Sequence, residues 1–319
     1  MDKSSAPAQT FHTAVIGTGS SGTAVASCLS RLSECMQFNS KGLIQNNHKH
    51  TLISYSGTPC TIECSEFDFS TLDCVFICTK IYQIKTVIDQ YIDKIPVSAP
   101  IILSCNGFIL DILDKLILSY PTHHFRISYV DFGVSKIKDY TYKVNSSDSS
   151  FIWGSYSRSD SSEFYHSQVF PFEMKLSNYK DEFTRISFIF SDSCIRHNCN
   201  KWIFNTCLNS LCTYHDCRTN GEVLNYSEEL KQVFDETFNL SKILFKKYQL
   251  QTDSDSLFKG LLSLIERTFL NQNSMVSDIL EHRHSENDYL AGMSRQDPQS
   301  FPLLSKIYSY ISKLDANSN

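Results

Sequence analysis

The chain has 319 residues, is 41% hydrophobic and 20% charged, and carries a formal net charge of −5. That length predicts one large or two medium domains, and the acidic balance, with no Lys/Arg run, argues against a nucleic-acid surface. No apolar run approaches the roughly 18 residues of a membrane span, and the opening stretch MDKSSAPAQTFHT holds no apolar segment of the secretory-signal kind.

The first predicted element is a short apolar strand, His12 to Ile16, followed by Gly17-Thr18-Gly19-Ser20-Ser21-Gly22 and a helix from about Ser20. This is G-x-G-x-x-G with a strand before it and a helix after it. The first glycine permits the tight turn, the second lets backbone approach a pyrophosphate, and the third lets the helix come close to the strand. The helix N-terminus supplies positive potential to phosphates. These six residues are therefore expected to bind a dinucleotide.

A β/α rhythm follows. TLISYS (51–56) reads as a strand, taken as the second of the nucleotide-binding sheet, and CTIECS (60–65) as a short one. DCVFICTK (73–80) and APIILSCNG (99–107) are continuous apolar runs, the pattern of parallel strands covered on both faces. IYQIKTVIDQYIDKI (81–95) has helical periodicity. Ligands of such sheets bind at the carboxyl ends of the strands, so Thr79-Lys80 and Asn106-Gly107 are expected beside the glycine turn. A surface lysine and a turn asparagine are the plainer readings. An NAD-preferring fold ends its second strand with Asp or Glu on the ribose hydroxyls. Ser54-Tyr55-Ser56-Gly57 offers no carboxylate, which favours NADP, although no Arg stands there either.

From 120 to 190, β-rich pieces alternate with Ser/Asp-rich turns, and beyond 190 the pattern is helical. The expected architecture is an α/β Rossmann-like NADP-binding domain over 1–190 and an all-α substrate and catalytic domain over 191–319. In the second part Ser285-x-x-Asp288 reads as a capping pair for a helix carrying Glu286. The 12 cysteines include CxxxC pairs and a five-residue recurrence at Cys207, Cys212 and Cys217, but no CxxC, so neither a zinc site nor any other metal site is expected. Many lie in apolar runs, where a reduced thiol acts as a small hydrophobe. A reducing, cytoplasmic compartment follows.

KWIFNTCLNSL (201–211) sets Lys201, Asn205 and Asn209 four residues apart, so on a helix successive members lie about 40° apart and draw one polar stripe. A solvated face would use Glu and Lys rather than Asn. Among Trp202, Ile203, Phe204, Cys207, Leu208 and Leu211 the stripe is expected to be enclosed, and enclosed polar groups need partners. A carboxylate or carbonyl ligand would supply them. So would a structural hydrogen-bond ladder, and spacing leaves the two open.

These residues carry a resemblance to the ketopantoate reductase (2-dehydropantoate 2-reductase) family, spread as spaced motifs over most of the chain. GTGSSG is similar to the family's GxGxxG, ICTKIYQ to its strand-end Lys motif and SCNGF to its Asn-Gly motif. KWIFNTCLNSL resembles its Lys-x3-Asn-x3-Asn helix, and NSMVSDILEHRHSENDYLAG its segment with Ser274 and Glu286 at matching spacing. The resemblance implies Lys201 as general acid, Glu286 on the substrate hydroxyl, and Asn205, Asn209 and Ser274 on the pantoate skeleton. Lys80 and Asn106 would line the nicotinamide end, Asn106 serving substrate as well. It also implies NADPH as cofactor and a small 2-keto acid as substrate. The residue types suit that chemistry independently: an ammonium stabilises negative charge growing on a carbonyl oxygen and then donates its proton. Asn220-Gly221 comes one residue later than the family interval, and the span from Gly292 to Pro302 is short, so a distant member is expected. A reductase of another keto acid and a silent NADP-binding redox sensor are the rival readings. The sequence leaves the oligomeric state open, a homodimer included.

Overall fold

The computed structural model describes residues 10–32, 34–38, 49–63, 68–146, 148–156, 168–248 and 253–316. It forms two compact units: Met1–Cys105 with Leu110–Ile195, and Arg196–Asn319 with the short segment Asn106–Ile109.

The first unit contains eleven strands among its described residues: β1 His12–Ile16, β2 Glu34–Phe38, β3 Lys49–Ile53, β4 Pro59–Glu63, β5 Cys74–Ile77, β6 Ile101–Leu103, β7 Phe125–Val130, β8 Val134–Lys138, β9 Thr141–Val144, β10 Ser149–Ser155 and β11 Ile186–Phe190. Its helices are α1 Ser20–Leu29, α2 Ile84–Tyr91, α3 Leu110–Ser119 and α4 Pro171–Leu176. Seven strands form one sheet in the order β11-β10-β7-β6-β5-β1-β2, parallel throughout except where β10 runs antiparallel to β7. Every residue of β5 and β6 is buried, as expected of strands with both faces covered. Phe76, Phe151, Trp153 and Phe188 fill the core beside them. Arg126 and Glu173 are fully buried there as a two-bond ion pair, with the Trp153 indole N–H also donating to Glu173. Each charge is thus met by fixed partners, which a buried ion requires.

The remaining strands form a second sheet in the order β4-β3-β9-β8. This corrects one expectation. The strand around 51–56 is not the second strand of the nucleotide-binding sheet; β3 pairs antiparallel with β4 and parallel with β9. The strand beside β1 is β2, in register His12 with Glu34 through Ile16 with Phe38. Ser54 and Ser56, which follow β3, therefore lose the cofactor-selecting position assigned to them. Residues 39–48, which follow β2 in the chain, lie outside the described set.

The second unit is helical: α5 Cys194–Tyr214 (its first two residues in the first unit), α6 Ser227–Leu244, α7 Ser254–Arg267, α8 Ser274–Leu280 and α9 Pro302–Ala316, with 3-10 turns at Asn220–Tyr226, Asn287–Tyr289 and Ala291–Gln296. Helix α5 buries Trp202, Ile203, Cys207, Leu208, Leu211 and Cys212, which point in nearly all directions around its axis; such a helix belongs in a core. Helices α6 and α7 are amphipathic, burying Leu230, Val233, Phe234 and Leu257, Leu261, Ile265. Among the described residues no helix is long and apolar enough to cross a membrane.

Candidate active site

The glycine turn lies between β1 and α1 and is shaped by steric exclusion. Gly17 has φ +118°, and a Cβ there would stand 2.2 Å from the Cys78 carbonyl oxygen, just past β5. A Cβ on Gly22 would stand 1.8 Å from the Gly17 carbonyl oxygen. At Gly19 a Cβ would meet nothing within 4 Å among the described residues, so there the second glycine faces open space. The Thr18 carbonyl accepts hydrogen bonds from the Tyr142 hydroxyl (3.1 Å) and from Thr23 Oγ1 (3.4 Å), which pin the turn from β9 and from α1. No side chain caps α1, and its first turn, Ser20-Ser21-Gly22, holds no acid. The helix N-terminus thus keeps amides and partial positive charge for an anion. An open backbone cradle before an uncapped helix fits the diphosphate of a dinucleotide.

Lys80 is half-buried beyond the end of β5, and its amide N–H donates to Gln83 Oε1 at 3.3 Å. Thr79 Cγ2 lies 3.1 Å from where a Gly17 Cβ would stand, so this strand end adjoins the glycine turn. Asn106, expected at the same place, belongs with the second unit, where its Nδ2 donates to Glu286 Oε2 at 3.3 Å.

Glu286 is 4% exposed and sits at the start of the 3-10 turn Asn287–Tyr289, not at the head of an α-helix. The expected Ser285–Asp288 cap is absent for a physical reason. The buried Ser285 gives its N–H and its hydroxyl to Asp315 of α9 (3.0 and 2.7 Å), while Asp288 accepts from the Tyr308 hydroxyl at 2.9 Å. Asn287 donates its N–H to Ser285 Oγ and its carboxamide to the Tyr308 carbonyl and Ser312 Oγ. Helix α9 therefore holds both neighbours of Glu286. The Tyr289 carbonyl accepts from the Trp202 indole N–H (3.0 Å) and from the Phe108 amide (2.9 Å). One oxygen joins the residue after Lys201, the segment carrying Asn106, and the turn carrying Glu286. Sequence reading missed Trp202, Tyr289, Asp315 and Tyr142 as organisers, since each acts across a long sequence separation with no local motif.

Lys201 and Asn205 are half-buried on α5 and Asn209 is 5% exposed. Among the described residues neither the Asn205 nor the Asn209 carboxamide makes a hydrogen bond; only the Asn209 backbone carbonyl is engaged, by Thr213 Oγ1. The expected structural ladder is therefore not formed by these two carboxamides. Ser274 opens α8 and is exposed, and its neighbour Asn273 caps that helix by accepting from the Val276 N–H at 3.1 Å. Asn273 also donates to Asn220 Oδ1 (3.4 Å). Gly221 has the Phe269 ring 2.5 Å from where a Cβ would stand, which fixes the Asn-Gly pair after α5. Among the described residues no group of three or more His, Cys, Asp or Glu side chains could hold a metal ion.

Residues 13–158 match the model of the ketopantoate reductase PanE/ApbA family, and residues 194–295 match its C-terminal model. The chain belongs to this family of keto-acid oxidoreductases, as a distant member. It is similar to a probable 2-dehydropantoate 2-reductase from Bacillus subtilis, with 20% identity, coverage of 95% of this chain and 100% of that one, and a TM-score of 0.71. A dimeric ketopantoate reductase from Staphylococcus aureus shows 16% identity, 97% and 100% coverage, and a TM-score of 0.74. A D-mandelate dehydrogenase solved with NADH and anilino(oxo)acetate shows 16% identity, the same coverage and a TM-score of 0.76.

Proposed function

We propose that this protein reduces 2-dehydropantoate to pantoate with NADPH, using Lys201 as general acid. The observation that carries the reading is the row Lys201, Asn205, Asn209 on α5, whose two carboxamides have no partner among the described residues. Neither carboxamide is a fully buried orphan of the kind seen at Asn200 Oδ1, so each keeps access through which a carboxylate-bearing ligand can accept its N–H groups. A bound reduced nicotinamide supplies the hydride that adds to the keto carbon. As charge grows on the keto oxygen, the Lys201 ammonium stabilises it and transfers a proton to it, a contribution of roughly 10²–10⁴-fold. Glu286, held by Asn106, accepts a hydrogen bond from a substrate hydroxyl. Asn205, Asn209 and Ser274 orient the acid, and the glycine turn with Lys80 receives the cofactor.

The choice of NADPH is supported by the chain directly after β2. It reads Asn39-Ser40-Lys41, with no carboxylate to repel a 2′-phosphate. A homodimer is supported by the dimeric Staphylococcus aureus relative, and a cytoplasmic location by cysteines that are free throughout the described residues. The test is to mix purified protein, NADPH and 2-dehydropantoate and follow loss of the reduced-nicotinamide absorbance. Turnover supports the proposal; a folded sample that binds NADPH but does not oxidise it with this acid rejects the substrate.

A second reading, a different 2-keto acid, is favoured by the likeness to the D-mandelate dehydrogenase. Comparing kcat/KM across aliphatic and aromatic 2-keto acids separates the two.

A further inference from the structure

Cys207, Cys212 and Cys217 share one spacing but not one geometry. Within α5, residues five apart project about 140° from each other around the axis, so Cys207 and Cys212 cannot meet. Between Cys212 and Cys217 the helix ends. Asp216 adopts φ +54°, its N–H bonds the Thr213 carbonyl, and the Cys217 N–H bonds the Cys212 carbonyl at 2.9 Å. This pair of closing bonds around a left-handed residue is the Schellman cap, which brings the flanking side chains together, usually as an apolar contact. Here both contact positions are cysteine.

We propose that Cys212 and Cys217 form a reversible disulfide in the folded protein, a peroxide-responsive modification site at the C-terminal cap of the helix that carries Lys201. Pairing with Cys212 lowers the Cys217 thiol, while pairing with Cys217 and burial raise Cys212. Reactivity follows the thiolate. Burial instead pushes Cys194, Cys199 and Cys207 up to about 12, leaving them inert. Cys217 is 3% exposed but lies between exposed Asp216 and Arg218, within reach of a molecule as small as hydrogen peroxide. Its thiolate sulfur attacks one peroxide oxygen, the O–O bond breaks, and hydroxide leaves a sulfenic acid. The Cys212 sulfur then attacks that sulfur, the S–S bond forms, and the departing hydroxide takes the Cys212 proton as water. Two thiols are oxidised and one peroxide is reduced to two waters.

The test treats the full-length protein with limiting hydrogen peroxide, then unfolds, alkylates and digests it with trypsin. No Lys or Arg lies between Lys201 and Arg218, so one peptide, 202–218, holds all three cysteines. One alkyl group, at Cys207, is expected after peroxide, and three after a dithiol reductant. Three alkyl groups after peroxide, a cross-link through Cys207, or oxygen that reductant cannot remove from Cys217 would overturn the proposal. Cys217→Ser should leave both Cys207 and Cys212 alkylated after the same treatment; loss of the Cys212 label in that variant also overturns it.

Discussion

The glycine turn and the polar row of α5 are built on opposite principles. In the turn, backbone is forced by exclusion: Cβ atoms at Gly17 and Gly22 would sit 2.2 and 1.8 Å from carbonyl oxygens, and two hydrogen bonds fix Thr18. On α5 the polar side chains are carried by a helix anchored chiefly by apolar burial, and Asn205 and Asn209 contribute no hydrogen bond of their own side chains among the described residues. The turn is structural first and able to bind as a result. Of the row, the Asn205 and Asn209 carboxamides take no part in the hydrogen bonding of the fold among the described residues.

Substitutions should separate these roles, and the largest effect is expected in the turn. Gly22→Ala forces the Gly17 carbonyl to move, at a cost on the order of 4 kcal/mol, with loss of cofactor binding; urea unfolding and NADPH fluorescence measure both. Gly19→Ala sharpens the contrast, because its methyl meets open space: unchanged unfolding with weakened cofactor binding is expected. Lys201→Ala should fold normally while kcat falls by roughly 10²–10⁴-fold, and an unchanged kcat removes the general-acid role. Asn205→Ala and Asn209→Ala should each raise KM by about tenfold, the worth of one hydrogen bond near 1.4 kcal/mol, without lowering the melting temperature. A melting loss would mean that the carboxamides serve the fold after all.

The smallest effect is electrostatic and lies in the first unit. Burial alone would raise the Asp181 carboxyl, but hydrogen bonds from Arg31 and Thr184 overcome it and hold the group below its ordinary range. A folded-state value below the unfolded one stabilises at pH above the ordinary carboxylate value of about 4, and that gain is lost as pH falls through the folded value. Acid unfolding followed by circular dichroism should therefore be shallower in Asp181→Asn.

What could be read in advance depended on how local the cause was. The glycine turn, β5 and β6 are set by neighbours a few residues away, and their runs announced them. The strand beside β1 did not: Glu34–Phe38 reads ECMQF, with Glu and Gln where a doubly covered strand would be apolar, and it sits at the sheet edge. A usable signal existed for β3 and β4, since β3 alternates buried and part-exposed positions as a one-sided ladder does. The Lys-Asn-Asn row was legible because its spacing matches the helical repeat. The setting of Glu286 was not, because Ser285 pairs with a residue thirty positions away, and a capping pattern at close range looked equally satisfying.

The four residues Asn106–Ile109 have a practical consequence for protein engineering. They come from the midst of the first unit's chain yet belong to the second, so a fragment beginning at residue 196 would be missing both the amide that meets the Glu286 carboxylate and the Phe108 rung on Tyr289. Chimeras that graft this helical half onto another nucleotide-binding half will need that tetrapeptide transplanted as well. Modularity here stops short of the obvious cut point.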